Sequence, residues 1–185
     1  MKKIPTLFER VYDEKGKVVG ITEKVKPGFE WVLEGEGEAT IKWDGSCCAI
    51  IGGELYKRYD AKAGKKPPEG AVPCCDPDPI TGHWPHWIKV SKDEPSDKWF
   101  AQFIGAELPD GTYEAIGKHF NGNPYKMDFD VIVPHGKDVV NVERSFCGIK
   151  CWLEIVGAEG LVFWKDGEPK CKIKRRDFGF PWPLT

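Results

Sequence analysis

The 185-residue chain is 41% hydrophobic and 30% charged, the balance of an ordinary globular protein, which sets aside fibrous and disordered classes. A formal charge of −2 excludes a protein that coats nucleic acid by bulk charge, while leaving room for a local basic stripe. No apolar run approaches the ~20 residues a membrane span requires, and Met1-Lys2-Lys3-Ile4-Pro5 lacks the apolar core of a signal peptide; no membrane partner and a cytoplasmic location are expected.

The 21 glycines and 15 prolines punctuate short runs rich in Val, Ile, Trp and Tyr, the pattern of antiparallel sheets with few helices. A strand is expected over 38–41 and another over 47–51, with Lys42-Trp43-Asp44-Gly45 between them. Gly52-Gly53 turns the chain into a return strand over 55–59 that carries Lys57 and Arg58. The Pro/Gly/Lys/Asp-rich stretch 61–85 predicts a long surface loop. Its end runs into the aromatic and polar segment 81–87, which suits either stacking on unpaired bases or a packed loop with buried tryptophans. Ser96-Asp97 predicts a helix cap, with Trp99, Phe100 and Phe103 on the apolar face of a helix reaching Ala106. Strands follow over 112–116 and 129–133, separated by an Asn/Gly/Pro loop at 121–124. A second helix begins at Asn141 or Glu143 and ends at Gly157, and two closing strands, 160–164 and 171–174, are joined through Asp166-Gly167. No internal repeat or linker is evident, and a single domain over 1–185 is expected.

The seven cysteines include the adjacent pairs Cys47-Cys48 and Cys74-Cys75, poor material for a disulfide framework, so reduced thiols are expected. Cys74, Cys75, His83 and His86 are of zinc-ligand type, although the usual spaced Cys-x-x-Cys pairs are missing. Of Cys147 and Cys151, four apart on the second predicted helix, one is expected in the core. Neither Gly-x-x-x-x-Gly-Lys-Ser/Thr nor Gly-x-Gly-x-x-Gly occurs, so no phosphate-binding loop or dinucleotide fingerprint is available; a Gly-x-Ser-x-Gly nucleophile elbow is absent as well.

Lys42, held on β structure, is a candidate nucleophile, because a neutral lysine amine can attack phosphorus. Alone, Lys-x-Asp-Gly is weak evidence. Behind it, in order, stand Lys57-Arg58, Tyr113-Glu114-Ala115-Ile116-Gly117, Phe129-Asp130, Glu159-Gly160-Leu161-Val162 and Lys172-Ile173-Lys174. The series resembles the ordered motifs of the covalent nucleotidyltransferases, the ATP-dependent RNA and DNA ligases and messenger RNA capping enzymes, over about residues 38–176. Pro5-Thr6-Leu7-Phe8-Glu9-Arg10 and Asn121-Gly122-Asn123-Pro124-Tyr125 look like those of a compact RNA ligase group.

The resemblance implies an α+β nucleotidyltransferase fold (an ATP-grasp-like adenylation domain), with antiparallel sheets flanking an ATP cleft; the DNA ligases and capping enzymes usually carry a C-terminal OB-fold domain as well, and none is expected here. It implies that Lys42 attacks the α-phosphorus of ATP to give lysyl-AMP. AMP would then pass to the 5′-phosphate end of an RNA, which is joined to a 3′-hydroxyl end. Lys172 and Lys174 alternate along a strand, so both point to one face and can meet the same phosphate; their charge also favours the neutral amine of Lys42. Arg58 offers a planar fork to phosphate or ribose oxygens. By the same resemblance Glu114 accepts from the ribose hydroxyls, and Glu159 supports magnesium near the phosphates. Asp44 and Gly45 shape the turn that presents the nucleotide to the lysine, Ile41 is a further nucleotide-binding candidate, and Phe129 stacks on adenine, with Tyr125 a competitor for that role. Lys118-His119 is a candidate contact to a nucleic-acid phosphate. A GTP-dependent guanylyltransferase acting on an RNA end and a non-catalytic RNA-binding module are the alternatives.

Overall fold

The computed structural model describes residues 3–61, 65–79 and 81–184. Twelve strands are described: β1 (Phe8–Tyr12), β2 (Val18–Val25), β3 (Glu38–Lys42), β4 (Ser46–Ile51), β5 (Glu54–Ala61), β6 (Val72–Pro73), β7 (Trp84–Lys89), β8 (Gly111–Gly117), β9 (Asp130–Pro134), β10 (Val139–Val140), β11 (Gly160–Lys165) and β12 (Glu168–Lys174). One α-helix, α1 (Phe146–Ile155), stands among them. The strands form antiparallel sheets of two, four and six strands. The α+β expectation is therefore corrected: among the described residues the architecture is antiparallel β with a single helix of ten residues.

The chain divides into two compact units, one built from Ile4–Asp44 and Gly136–Thr185, the other from Met1–Lys3 and Gly45–His135. In the first, β1 pairs with β2, and the four-stranded sheet has the order β10-β3-β11-β12. Its register places Ala39, Phe163 and Cys171 in one cross-strand row and Ile41, Leu161 and Ile173 in another. Side chains alternate across a strand, so these rows share a face. That face is covered by Ile149 and Leu153 of α1 together with Leu7 and Phe8, and each such fully buried side chain contributes about 1.5–3 kcal/mol. The intervening rows, Lys42-Gly160-Lys174 and Thr40-Val162-Lys172, fall on the opposite face.

The N-terminal segment is tied to the same sheet. Thr6 makes a parallel bridge to Lys172, with Leu7 N–H donating to Lys172 O at 2.7 Å and Lys172 N–H to Pro5 O at 2.9 Å. Helix α1 starts later than expected because Ser145, rather than Asn141 or Glu143, is the cap: its Oγ accepts from Gly148 N–H at 2.9 Å. The helix buries Ile149 and Leu153 and leaves both Cys147 and Cys151 exposed, against the expectation that one of them is core.

The second unit holds the six-stranded sheet β6-β7-β5-β4-β8-β9. Cys48, Ile50, Tyr113, Ala115 and Ile132 form its core with Phe120, and Phe100 and Phe103 pack against it. The helix expected from Ser96 to Ala106 is replaced by two short 3-10 turns, Pro95–Asp97 and Ala101–Phe103. Asp97 does not cap a helix; it is buried, pairs with Lys57 and accepts from Ser91 N–H at 2.9 Å. Part of the expected 61–85 loop is β structure, since β6 pairs with β7 through Val72 and Trp87; positions 62–64 and 80 of that loop lie outside the described residues. His86 and Trp87 are buried within β7, which is the packed reading of the aromatic segment.

Gly160 is the position in the four-stranded sheet that tolerates no side chain. A Cβ there would lie 2.1 Å from Ile173 O and 3.0 Å from Lys174 Cα, so Gly160→Ala must push β11 and β12 apart. A Cβ at Gly20, by contrast, would meet nothing within 4 Å. We expect Gly160→Ala to cost roughly 3 kcal/mol and Gly20→Ala to stay within about 0.5 kcal/mol of the parent, as read by denaturant unfolding; equal effects would refute the close-approach argument.

Candidate functional site

Three lysines gather on one face of the four-stranded sheet. Lys42 ends the central strand β3, opposite Gly160, which in turn opposes Lys174. Gly160 brings no side chain to the row, and the residue before it fills the gap. The Glu159 carboxylate takes Lys42 Nζ on Oε2 and Lys174 Nζ on Oε1, the latter at 2.5 Å. Glu159 is 5% exposed, and its carbonyl is fixed by Arg175 N–H at 2.9 Å. A buried carboxylate is costly unless it is paired, and two ammonium groups are costly side by side unless an anion separates them. The three charges therefore require one another. Lys172 lies two residues before Lys174, on the same face and in the next row.

Supporting contacts hold this edge of β3. Thr40 Oγ1 accepts from Trp164 Nε1 at 2.9 Å, and Ile41 N–H donates to Asp138 O at 3.0 Å. Trp43 Nε1 donates to Asp138 Oδ2 at 2.6 Å, and Trp182 Nε1 to Asp44 Oδ2 at 2.7 Å. Burial pushes the Asp44 carboxyl up from its ordinary range, with the Glu159 charge adding to the rise, against the lowering pull of the Trp182 hydrogen bond and of Lys42 and Lys174. Arg175, itself buried, donates to the carbonyls of Leu153, Val156 and Pro181 and so fixes the end of α1 and the chain before Trp182.

The remaining expected residues belong to the other unit. Cys47 and Glu114 face each other across β4 and β8. Glu114 Oε1 accepts from Gly45 N–H at 3.0 Å, and Oε2 meets His135 Nε2 at 3.0 Å. Arg58 Nε donates to Asp60 Oδ1 at 2.8 Å, and its guanidinium also bonds to Cys47. Burial is the largest influence on Cys47 and, with the Glu114 charge, raises its thiol to about 12, despite Arg58. Phe129 precedes β9 and is 64% exposed, so it is not a core strand residue. His119 stacks on Trp99 with centroids 3.4 Å apart and is held by Asp130 at 2.7 Å.

Among the described residues, Cys47, Glu114 and His135 form the one group of three or more ligand-type side chains with donor atoms all within 4.8 Å; Cys74, Cys75, His83 and His86 form no such group. Sequence reasoning passed over His135, Trp182 and Asp138. His135 was within reach, since the 112–116 and 129–133 strands pair as a hairpin in which Glu114 opposes Val133. Trp182 and Asp138 are brought to Asp44 and Trp43 only by tertiary structure.

Over 142 aligned residues the chain is 26% identical to a protein named RNA ligase 1 from Danio rerio, a similarity covering 56% of this chain and 43% of that protein. The chain thus spans less than half the length of that relative. No family model matches the chain. Among the described residues no helix is long and apolar enough to cross a membrane.

Two outcomes follow for the charged groups. Glu159→Ala leaves Lys42 and Lys174 with no anion between them; because both lysines retain some solvent contact, we expect a loss of about 2 kcal/mol, below the range for a fully buried pair, measured by denaturant unfolding, and partial recovery in Glu159→Ala/Lys174→Met. No loss in the single variant would show that the cluster is not coupled. For Asp130, burial pushes the carboxyl up, but hydrogen bonds from the His119 side chain, the His119 backbone and Gln102 outweigh it and leave the group below its ordinary range. A depressed carboxyl stabilises the fold above its unfolded value and loses that contribution as pH falls through the folded value. The stability gap between parent and Asp130→Asn should therefore be present near neutral pH and close in acid; a gap independent of pH would refute the assignment.

Proposed function

We propose that this chain is an RNA ligase that works through a covalent lysyl-AMP on Lys42. The observation that carries the reading is the Glu159 carboxylate joining Lys42 to Lys174 on the sheet face that also bears Lys172. The order of the motifs and the likeness to a protein named RNA ligase 1 support the same reading.

In this mechanism Lys42 Nζ attacks the α-phosphorus of ATP. A phosphorus–nitrogen bond forms, the bond to the bridging oxygen breaks, and pyrophosphate leaves. The ammonium must first give up a proton, and Glu159 Oε2, hydrogen-bonded to it, is the acceptor at hand. Lys174 and Lys172 meet the charge that develops on the phosphate oxygens. AMP then passes from Lys42 to the 5′-phosphate of an RNA, and a 3′-hydroxyl displaces AMP to leave a phosphodiester. Glu159 also supplies the hard oxygen donors that suit magnesium, whose charge would offset that of the phosphates. Arg58, Glu114 and Phe129 are the proposed contacts to phosphate or ribose, to ribose hydroxyls and to adenine.

Incubation with magnesium and ATP labelled at the α-phosphate should place label on the protein, and Lys42→Ala should remove it entirely. Lys172→Ala and Lys174→Ala should each slow adduct formation by roughly 10²–10³-fold. Supplying RNA with 5′-phosphate and 3′-hydroxyl ends should discharge the label and yield joined product. Label that survives Lys42→Ala would refute the nucleophile. Label from GTP instead of ATP would reassign the reaction to guanylyl transfer, and RNA binding with no adduct from either would reduce the chain to a binding module.

A further inference from the structure

We propose that Cys47, Glu114 and His135 bind a soft divalent cation of the zinc type. Thiolate sulfur, imidazole nitrogen and carboxylate oxygen together are a donor set that zinc takes, often as three protein ligands with a fourth position left to water. All three donor atoms lie within 4.8 Å of one another, close enough for one ion to reach each with small side-chain movements. The side chains stand on a rigid frame. Cys47 and Glu114 are directly opposed in the interior of the six-stranded sheet, and His135, just beyond β9, has its own N–H bonded to Thr112 O at 3.0 Å.

The surroundings of His135 and Glu114 suit ligation. His135 Nδ1 lies 3.0 Å from Thr112 Oγ1, whose hydroxyl can accept from Nδ1–H and so leave Nε2 with its lone pair for the ion. Glu114 Oε1 is oriented by Gly45 N–H at 3.0 Å, leaving Oε2 as the ligand oxygen. Without a cation the Nε2–Oε2 contact at 3.0 Å requires a shared proton; with one, that proton and the thiol proton leave. The Arg58 guanidinium bonds to Cys47 and favours its thiolate form, and its charge is partly offset by Asp60 at 2.8 Å. Thiolate, carboxylate and a doubly charged ion then sum to neutrality, beside an arginine–aspartate pair that does the same.

The site stands on these residues alone and does not depend on adenylylation of Lys42. If Glu114 also takes the ribose, as proposed above, the cation and the nucleotide compete for one carboxylate.

Cobalt(II) is the probe, because a thiolate ligand gives it a charge-transfer band in the near ultraviolet. It is added to the full chain in a Cys74→Ser/Cys75→Ser background, which removes the other adjacent thiol pair. We expect a band that saturates at one equivalent, is displaced by zinc, and disappears with Cys47→Ser. His135→Ala should weaken cobalt binding by more than about tenfold and Thr112→Val by roughly tenfold, the usual loss on removing a ligand's outer partner. Absence of the band from the parent would overturn the proposal without reliance on any variant, and so would a band that persists in Cys47→Ser.

Discussion

The Glu159 carboxylate, held between Lys42 and Lys174, is the interaction on which the charged face of the first unit depends. It works only because the next residue is glycine. With a side chain at 160, β11 and β12 would separate, since the space for a Cβ is already occupied by Ile173 O. Strand separation would lengthen the span between Lys42 and Lys174 beyond one carboxylate's reach. The core on the opposite face serves the same end: Leu161 and Phe163 lock β11 between β3 and β12, so the lysine rows inherit their spacing from apolar packing. Arg175 adds a polar anchor, fixing the Glu159 carbonyl with its N–H and the close of α1 with its guanidinium.

The same cluster sets an energetic tension. The Glu159 carboxylate offsets part of the charge of Lys42 and Lys174, which is what makes those two ammonium groups tolerable side by side. A phosphate group could replace part of what Glu159 provides, since its oxygens accept from lysines as a carboxylate does. The pairing thus holds the Lys42 ammonium in position on the sheet face.

Most of the longer strands were legible in the sequence, as was one of the two expected helices, while the order of strands within the sheets was not. The runs at 38–41, 47–51, 112–116, 129–133, 160–164 and 171–174 are strands because β-branched and aromatic residues recur between glycine and proline turns, a local signal. The helix expected after Ser96 failed for a tertiary reason: Asp97, which reads as a cap, is spent on Lys57 and Ser91 N–H. The short strands β6 and β10 carry almost no pattern and exist because β7 and β3 offer them an edge. Lys172 and Lys174 were readable as neighbours on one face from strand periodicity alone. That Glu159 would reach both Lys42 and Lys174 was not, because it depends on the register of β11 against two strands distant in sequence. The α+β expectation came from resemblance rather than from residue patterns, and the glycine- and proline-punctuated short runs had already pointed to antiparallel sheet.

The two carboxylates singled out by the motifs end in opposite chemical settings. Glu159 is surrounded by ammonium groups, with no sulfur or imidazole among its named partners; such a setting offers nothing to a soft cation. Glu114 shares its space with a thiol and an imidazole, a set that holds a soft ion far more strongly than magnesium because sulfur and nitrogen donors give the harder ion little. Charge alone would not separate the two, since each centres on one glutamate. Selectivity follows instead from the neighbours that strand register supplies: Gly160 and two lysines around the first, Cys47 and His135 around the second. The donor sets thus keep a zinc-type ion on Glu114 from exchanging with a harder ion at Glu159, while a ribose on Glu114 would compete with that ion for the carboxylate.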